Sequence, residues 1–359
     1  MQPKIAIVYL CYGMRTYLTE IVAAIAALDY PKDRLTFILV PAGSPDGIAD
    51  EIREKVLPRS GQDLPEVVLL DDGQNRGFAA NNNLALKYVL DKDFDYAFLH
   101  NGDLKLAPDC LTEAVKLAET DVKIGSVQSL VRYWHEPEKV NVTGGAIHIA
   151  GYGFAKDNGR LMSELAVTDG EEIAYASGAA VLYRVSALKK VGLLEEGFFM
   201  YHEDLELGMR LRFAGYKNVL ATQSFAYHDY KFSRNPKKFA WMELYRQVVV
   251  LAYYKPGTLL VFAPLLSAIE AGTWVMALKG GWLKAKLWAV GQWFRPQTWR
   301  LLFTMRQRAQ SLRVIQDSEF LKLVVGKIEH QETASTVMEK FINPAVDDAF
   351  QAGRKLIKW

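Results

Sequence analysis

Apolar and polar positions alternate in blocks along the N-terminal part of the chain, and two periods can be separated. Short apolar runs at Ile5–Leu10, Phe37–Val40, Val67–Leu70 and Tyr96–Leu99 read as buried strands. Helical spacing between them predicts helices near Tyr17–Leu28, Ile48–Val56 and Asn81–Leu90. Such alternation predicts an α/β fold with a mostly parallel sheet flanked by helices. Ligands in these sheets bind beyond the carboxyl ends of the strands. The polar clusters that follow the strands are therefore candidate site segments: Cys11-Tyr12-Gly13, Gly43 to Gly47 with Asp46, Asp71-Asp72 through Asn75, and His100-Asn101-Gly102-Asp103.

A further pattern, from Phe198 to Tyr216, sets the adjacent carboxylates Glu203 and Asp204 at the mouth of a predicted helix. Leu205, Leu207, Met209 and Leu211 give that helix an apolar side, and the chain before it is aromatic. A carboxylate held there is partly desolvated and rigid, which suits a general base. Acids in a first turn also favour the helix dipole, so an ordinary helix start is the competing reading. Asp103 and Asn101 stand at i and i+2 after a buried strand, and oxygen donors of this kind suit Mg²⁺ or Mn²⁺ bridging a diphosphate. An ordinary Asn-Gly turn is the alternative there. In Asn75 to Asn83, Gly77 permits close backbone approach, and Asn81, Asn82 and Asn83 cap the next helix while offering amides to a ribose or phosphate. Capping alone explains one asparagine, not three beside Gly77-Phe78.

Residues 140–149 read as a β-hairpin with a Gly-Gly turn, and the glycines through Gly159 predict a mobile loop. Trp134, His135 and His148 are candidates for ligand contact or ordinary loop residues. Further on, Pro256–Leu278 is apolar apart from Glu270, near the roughly 20 residues that span a bilayer, although Pro264, Glu270 and Gly272 weaken a span. Five of the eight tryptophans lie between Trp274 and Trp299, interleaved with Lys279, Lys284, Lys286 and Arg295, a headgroup-interface composition. A basic amphipathic helix continues from Trp299 toward Arg313.

Charge sharpens this division. Residues 1–230 hold 23 Lys+Arg against 32 Asp+Glu, a net of −9, which leaves 20 against 9, or +11, for 231–359. The first part reads as a catalytic domain and the second as a helical region that associates peripherally with the inner face of the cytoplasmic membrane, each cation contributing about 1 kcal/mol near anionic lipid. A helical cap on the catalytic domain is the alternative. Only Cys11 and Cys110 are present, so no disulfide framework is expected and the compartment is reducing. Ile5–Leu10 is too short an apolar run for a signal peptide, which predicts a cytoplasmic location. Nucleic acid is excluded as a partner because the cations alternate with Trp and Leu. Oligomeric state is left open.

Taken in order, these segments resemble inverting family 2 glycosyltransferases with the GT-A (Rossmann-like) fold, in particular the bacterial rhamnosyltransferase-like branch. That branch reads N-x-G-F-A-x-x-N-N, then L-N-x-D, then S-G-A, then F-F-x-x-x-E-D-x-D-L-x-x-R-x-x-x-A-G-Y, then a His. The counterparts are Asn75 to Asn83, Leu99 to Asp103, Ser177-Gly178-Ala179, Phe198 to Tyr216, and His228, so the resemblance covers residues 4–230. It implies that Asn101 and Asp103 hold a divalent metal on the donor diphosphate, with His228 reaching the metal or the leaving group. It implies that Asp204 is the base and that Glu203 orients the acceptor or supports the base. Ser177, Gly178 and Ala179, with Tyr201 and His202, fall on the acceptor side. Cys11, Tyr12, Asp46, Asp71, Asp72, Asn75, Gly77, Phe78, Asn82, Asn101 and Gly102 fall on the donor side. The implied reaction moves a sugar, rhamnose among the candidates, from a dTDP- or UDP-linked donor to a lipid-linked or polysaccharide acceptor.

The sequence also departs from the pattern. Pro41 stands where the family has the Asp that meets the nucleotide base, and Glu206 stands where an Asp is usual. Base recognition then falls to backbone groups or to Asp71 or Asp72. Two other functions compete. A nucleotidyltransferase needs a basic, glycine-rich phosphate loop near the N-terminus, which Tyr9 to Arg15 does not supply. A catalytically silent glycan-binding protein is favoured by Pro41 but opposed by intact Asp103, Glu203 and Asp204.

Overall fold

The computed structural model describes residues 2–231, 235–331, 340 and 342–359. Strands β1 (Ile5–Leu10), β2 (Leu35–Val40), β3 (Glu66–Leu69) and β4 (Tyr96–Asn101) run parallel in the order β3-β2-β1-β4, joined by α1 (Leu18–Ala26), α2 (Ile48–Glu51, continued by a π-turn through Val56) and α3 (Phe78–Leu90). Ile5, Ile7 and Tyr9 face one apolar cluster with α1, while Ala6 and Val8 face another with α3. Burial on both faces is why these strands read as unbroken apolar runs.

The remainder comprises β5 (Leu104–Leu106), α4 (Cys110–Ala118), β6 (Ile124–Tyr133), β7 (Val140–Val142), β8 (Gly145–His148), β9 (Gly153–Ala155), β10 (Ala180–Arg184), α5 (Val185–Val191), α6 (Glu203–Phe213) and β11 (Lys217–His228). The sheet continues β4-β10-β6-β11-β5, with β10 antiparallel to both neighbours and β5 antiparallel to β11. The expected mostly parallel sheet is therefore parallel through β4 and mixed beyond it. Between β6 and β10 the chain holds only short strands and a three-residue helical turn, not a crossover helix. It re-enters the sheet from the end at which it left, so this excursion stands over the carboxyl ends of the parallel strands.

The expected hairpin over 140–149 does not form. β7 pairs with β6, whereas β8 pairs with β9 and with a C-terminal strand. Gly144 and Gly145 serve close packing instead of a turn: a Cβ on Gly144 would meet Ile173 at 2.7 Å, and one on Gly145 the Tyr175 ring at 2.2 Å. β8 and β9 also give this segment a regular paired structure, where glycines alone predicted a mobile loop.

The C-terminal part is helical: α7 (Pro236–Tyr253), α8 (Pro256–Gly280), α9 (Leu283–Gln292), α10 (Pro296–Leu312), α11 (Asp317–Phe320) and α12 (Asn343–Leu356), with β12 (Val324–Val325) added beside β8. It covers α6, which is not the one-sided helix expected. Side chains two apart on a helix lie about 200° apart, so Leu205, Leu207, Met209, Leu211 and Phe213 spread to two opposite faces. Leu207 and Leu211 pack toward the sheet, and Leu205, Met209 and Phe213 pack on α7 and α10.

Candidate active site

The site is assembled by backbone bonds at the end of the sheet. The Asn101 N–H, at the end of β4, donates to the Ala179 carbonyl at 3.0 Å, and the Gly178 N–H donates to Asp204 Oδ2 at 3.1 Å. The Asp229 N–H donates to the Asp103 carbonyl at 3.0 Å, which brings His228, at the end of β11, beside Asp103. A cavity of about 560 Å³ results, lined by Asn101, Gly102, Asp103 and His228 together with Ser177, Gly178, Ala179, Glu203 and Asp204. Tyr12, Asn75, Gly77, Phe78, Tyr201 and His202 line the same space. The structure therefore brings the proposed metal and base positions into one cavity.

The entry to α6 is unusual. Tyr201 and His202 both take left-handed conformations, with φ of 71° and 70°, uncommon for residues with a Cβ. His202 is buried and its Nε2 bonds the Gly151 carbonyl at 3.0 Å, while Lys238 sits 5.0 Å from the Tyr201 ring centroid. Burial lowers the His202 pKa to about 4, so the ring is neutral and acts as a clamp.

Asp204 and Glu203 differ in surroundings. Burial raises the Asp204 carboxyl pKa, but the Gly178 and Leu205 N–H groups, the latter at 2.7 Å, favour its charged form. Glu203 is raised well above its ordinary value, first by burial and then by Asp204, and its buried Oε2 has no hydrogen-bond partner among the described residues. Asp204 is therefore the carboxyl that ionises first, and Glu203 is the one that keeps a proton.

His228 is oriented by Asn141. The Asn141 amide nitrogen donates to Asn158 Oδ1 at 3.3 Å, which turns Asn141 Oδ1 toward His228 Nδ1 at 2.9 Å. His228 Nε2 in turn lies 3.1 Å from Asp103 Oδ1, hydrogen-bonding distance for a ring N–H that donates to the carboxylate. An imidazole nitrogen and a carboxylate side by side at the cavity wall fit a divalent cation that displaces the proton between them, with Asn101 beside them. Among the described residues no three His, Cys, Asp or Glu side chains converge to hold an ion alone. A donor diphosphate would complete such a set, as is usual for Mg²⁺.

Five predicted donor residues do not line the cavity. Cys11 is fully buried in the core, its thiol pKa pushed far up by burial. Asp46 binds the Ser44 hydroxyl and the N–H groups of Arg15 and Ile48, which outweigh burial and hold its pKa low. Asp71 accepts from Gly43 and Gly73, and Asp72 pairs with Arg76. Asn82 is buried and bonds the Phe78 carbonyl, while Asn83 bonds Leu194 in both directions. Structural bonds thus account for Asn82 and Asn83, whereas Asn75, which accepts from Gly77 and Asn81, and Asn81 itself both line the cavity. His148 bonds Gly326 and Ala150 and does not line the cavity. Trp134 stacks on His135 and lies under Lys105 at 4.6 Å, also outside the cavity.

Several lining residues escaped the sequence reading: Asn141, Phe154, Tyr175, and Lys238, Phe239 and Met242 of α7. Pro236 before two lysines marks that helix start, but only the tertiary fold returns it to the cavity. Asn141 carried no signal, because its role depends on a partner 87 residues away.

A parallel βαβ half, a site at the strand ends, and a carboxylate pair on a helix facing an Asp–His pair define the class: a GT-A glycosyltransferase. Residues 3–248 match the family described as "Glycosyltransferase like family 2", and the chain belongs to that family. It is 29% identical over 179 residues to rhamnosyltransferase WbbL of Escherichia coli K12, a match covering 46% of this chain and 66% of that protein. It is 25% identical over 222 residues to an N-acetylglucosaminyl-diphospho-decaprenol L-rhamnosyltransferase of Mycobacterium tuberculosis, covering 57% and 70%. The fold is shared with the mannosyltransferase PcManGT of Pyrobaculum calidifontis, solved with GDP-Man and Mn²⁺, at TM-score 0.52 and 17% identity over 87% of this chain and 86% of that one. It is also shared with S. aureus TarS in complex with UDP-GlcNAc, at TM-score 0.51 and 14% identity over 98% and 90%.

Proposed function

We propose that this enzyme is an inverting, metal-dependent glycosyltransferase that moves a sugar, rhamnose in the leading case, from a dTDP- or UDP-linked donor to a lipid-linked or polysaccharide acceptor. The observation that carries this is the single cavity lined by both Asp204 and the Asp103–His228 pair. The rhamnosyltransferase relatives support the sugar, and the Mycobacterium relative's decaprenol-linked name supports the acceptor.

In this reading Asp204 takes the proton of the acceptor hydroxyl as that oxygen attacks the anomeric carbon, worth about 10²–10⁴-fold in rate. Glu203 stays protonated and donates to the acceptor. Asp103 and His228, with Asn101, would hold Mg²⁺ or Mn²⁺, which neutralises charge on the departing diphosphate. Tyr12, Asn75, Gly77, Phe78 and Gly102 frame the donor, and Ser177, Gly178, Ala179 and Tyr201 frame the acceptor. Asp46, Asp71 and Asp72 hold the loops that border the nucleotide. Residues 1–230 form the catalytic domain, and residues 231–359 attach it to the cytoplasmic face of the membrane.

A screen of nucleotide sugars for binding and hydrolysis with Mg²⁺ or Mn²⁺, against EDTA, tests this. A dTDP- or UDP-sugar is expected to bind with metal, and Asp103→Ala is expected to lose the metal-dependent part. Donor binding that is equal in EDTA, or unchanged in Asp103→Ala, contradicts the assignment.

A further inference from the structure

Helix α8 is inside out by the standards of a water-exposed helix. Leu260, Pro264, Ser267, Ala271, Val275 and Leu278 follow at three- or four-residue steps, all exposed, and the stripe carries no charge. The opposite face holds the polar groups. Glu270 pairs with Arg246 of α7 at 2.5 Å and with Lys286 of α9 at 2.7 Å, and Thr273 accepts from Lys286 at 2.7 Å. Fourteen of the eighteen exposed large apolar side chains among the described residues lie beyond residue 250, nine of them from Leu260 to Phe303, a concentration well above isolated surface hydrophobics. Trp288, Phe294, Trp299 and Phe303 extend it over α9 and α10.

α8 has the length to span a bilayer, but its packing opposes a span. Phe262, near its start, stacks on Phe350 of α12, and its later half is tied to buried Lys286. A spanning α8 would carry α12, with Asp347, Asp348 and Arg354, to bilayer depth, where unpaired charge is costly. Lying flat keeps those groups in water. Exposed Lys279, Lys284, Arg295 and Arg300 belong to the same surface and form no ion pair among the described residues, which gives it the charge to meet anionic headgroups. One contact joins it to the cavity: Phe239 lines the cavity and stacks on Trp282, at the α8–α9 corner, with 5.5 Å between centroids.

We propose that α8, α9 and the start of α10 form one face that docks flat on an anionic phospholipid bilayer, and that the cavity opens beside it at Phe239 and Trp282. The second half rests on the lipid-linked acceptor proposed above: its lipid end would stay in the bilayer while its sugar end reaches Asp204 from the side.

Cys11 and Cys110 are fully buried, so single cysteines placed at Leu260, Ser267 and Val275 in the full chain can be labelled selectively. On vesicles of equal phosphatidylglycerol and phosphatidylcholine, spin labels at the three positions should report one common shallow depth, about 5–10 Å below the headgroups. A span would instead spread them along a helix about 37 Å long. Lys284→Gln with Arg295→Gln should weaken binding to these vesicles roughly ten-fold or more, and pure phosphatidylcholine should bind the parent chain weakly. Graded depths, no binding to the anionic vesicles, or equal binding by the double variant overturns the proposal. So does a stable dimer that protects the labels without vesicles, which would give the face to a second copy. None of these readouts uses turnover, so an enzyme that docks but transfers no sugar would fail the functional reading and leave the docking face standing.

Discussion

Two N–H groups point at Asp204, whereas Glu203 Oε2 is buried with no hydrogen-bond partner among the described residues. Because Asp204 is raised from its ordinary value near 3.8, a base that works ionised loses activity as pH falls through that raised value. The acid limb of kcat/KM is therefore expected above the usual carboxylate range, and a limb at or below it would contradict the burial argument. Glu203 is shifted in the same direction, and its consequence for stability runs the opposite way with pH. Its folded pKa lies above the unfolded 4.5, so ionisation in the fold costs stability once pH exceeds the unfolded value, and more so up to the folded one. Glu203→Gln removes that cost. Its Tm should exceed the parent's at about pH 8, with the gap narrowing toward about pH 5. Asp103, Asn101, Glu203 and Asp204 were legible in sequence because each follows or opens an element with a clear period. Asn141 was not, since orienting His228 is a relation across the sheet. Cys11, Asp46 and Asn82 were misplaced because nearness to a strand end does not say which way a side chain turns.

At the scale of elements, α6 links the base to the rest of the molecule through one buried pair. Glu206 accepts from Arg210 in a bidentate manner, Oε1 from Nε at 3.0 Å and Oε2 from Nη2 at 2.5 Å, and also meets Arg308 of α10 at 3.1 Å. The Glu in place of the family's usual Asp thus bridges two helices as well as pairing with Arg210 one turn on in its own. Glu206→Ala leaves Arg210 buried without a counter-charge and should cost about 3–5 kcal/mol, read by denaturant unfolding. A loss under about 1 kcal/mol would show that water or repacking compensates. Gly77 is a second fixed point, since a Cβ there would meet the Phe199 carbonyl oxygen at 2.2 Å and φ is +91°. Gly77→Ala should destabilise by at least about 1 kcal/mol and weaken donor binding. The strands through β4 were legible because burial on both faces leaves an apolar run. The reversal at β10 was not, because it depends on what the intervening chain lacks.

For the whole molecule, the 20 Lys and Arg of residues 231–359 do not all face outward. Arg246, Lys286, Arg308 and Arg313 are spent on Glu243, Glu270, Glu206 and Asp317. The C-terminal helices also complete the core around Phe198, Leu205, Met209 and Phe213. Deleting residues 256–359 should therefore give an insoluble or thermally unstable chain, because α6 loses one of its two apolar partners. A soluble, folded fragment would show that the two parts are independent.

The central claim is that Asp204 supplies the base while the Asp103 side of the same cavity holds the donor. Asp204→Asn keeps the size and the Gly178 contact but cannot take a proton. Titration of the nucleotide sugar should give parent-like donor affinity, with transfer lowered about 10²–10⁴-fold. Parent-like transfer in that variant would contradict the account.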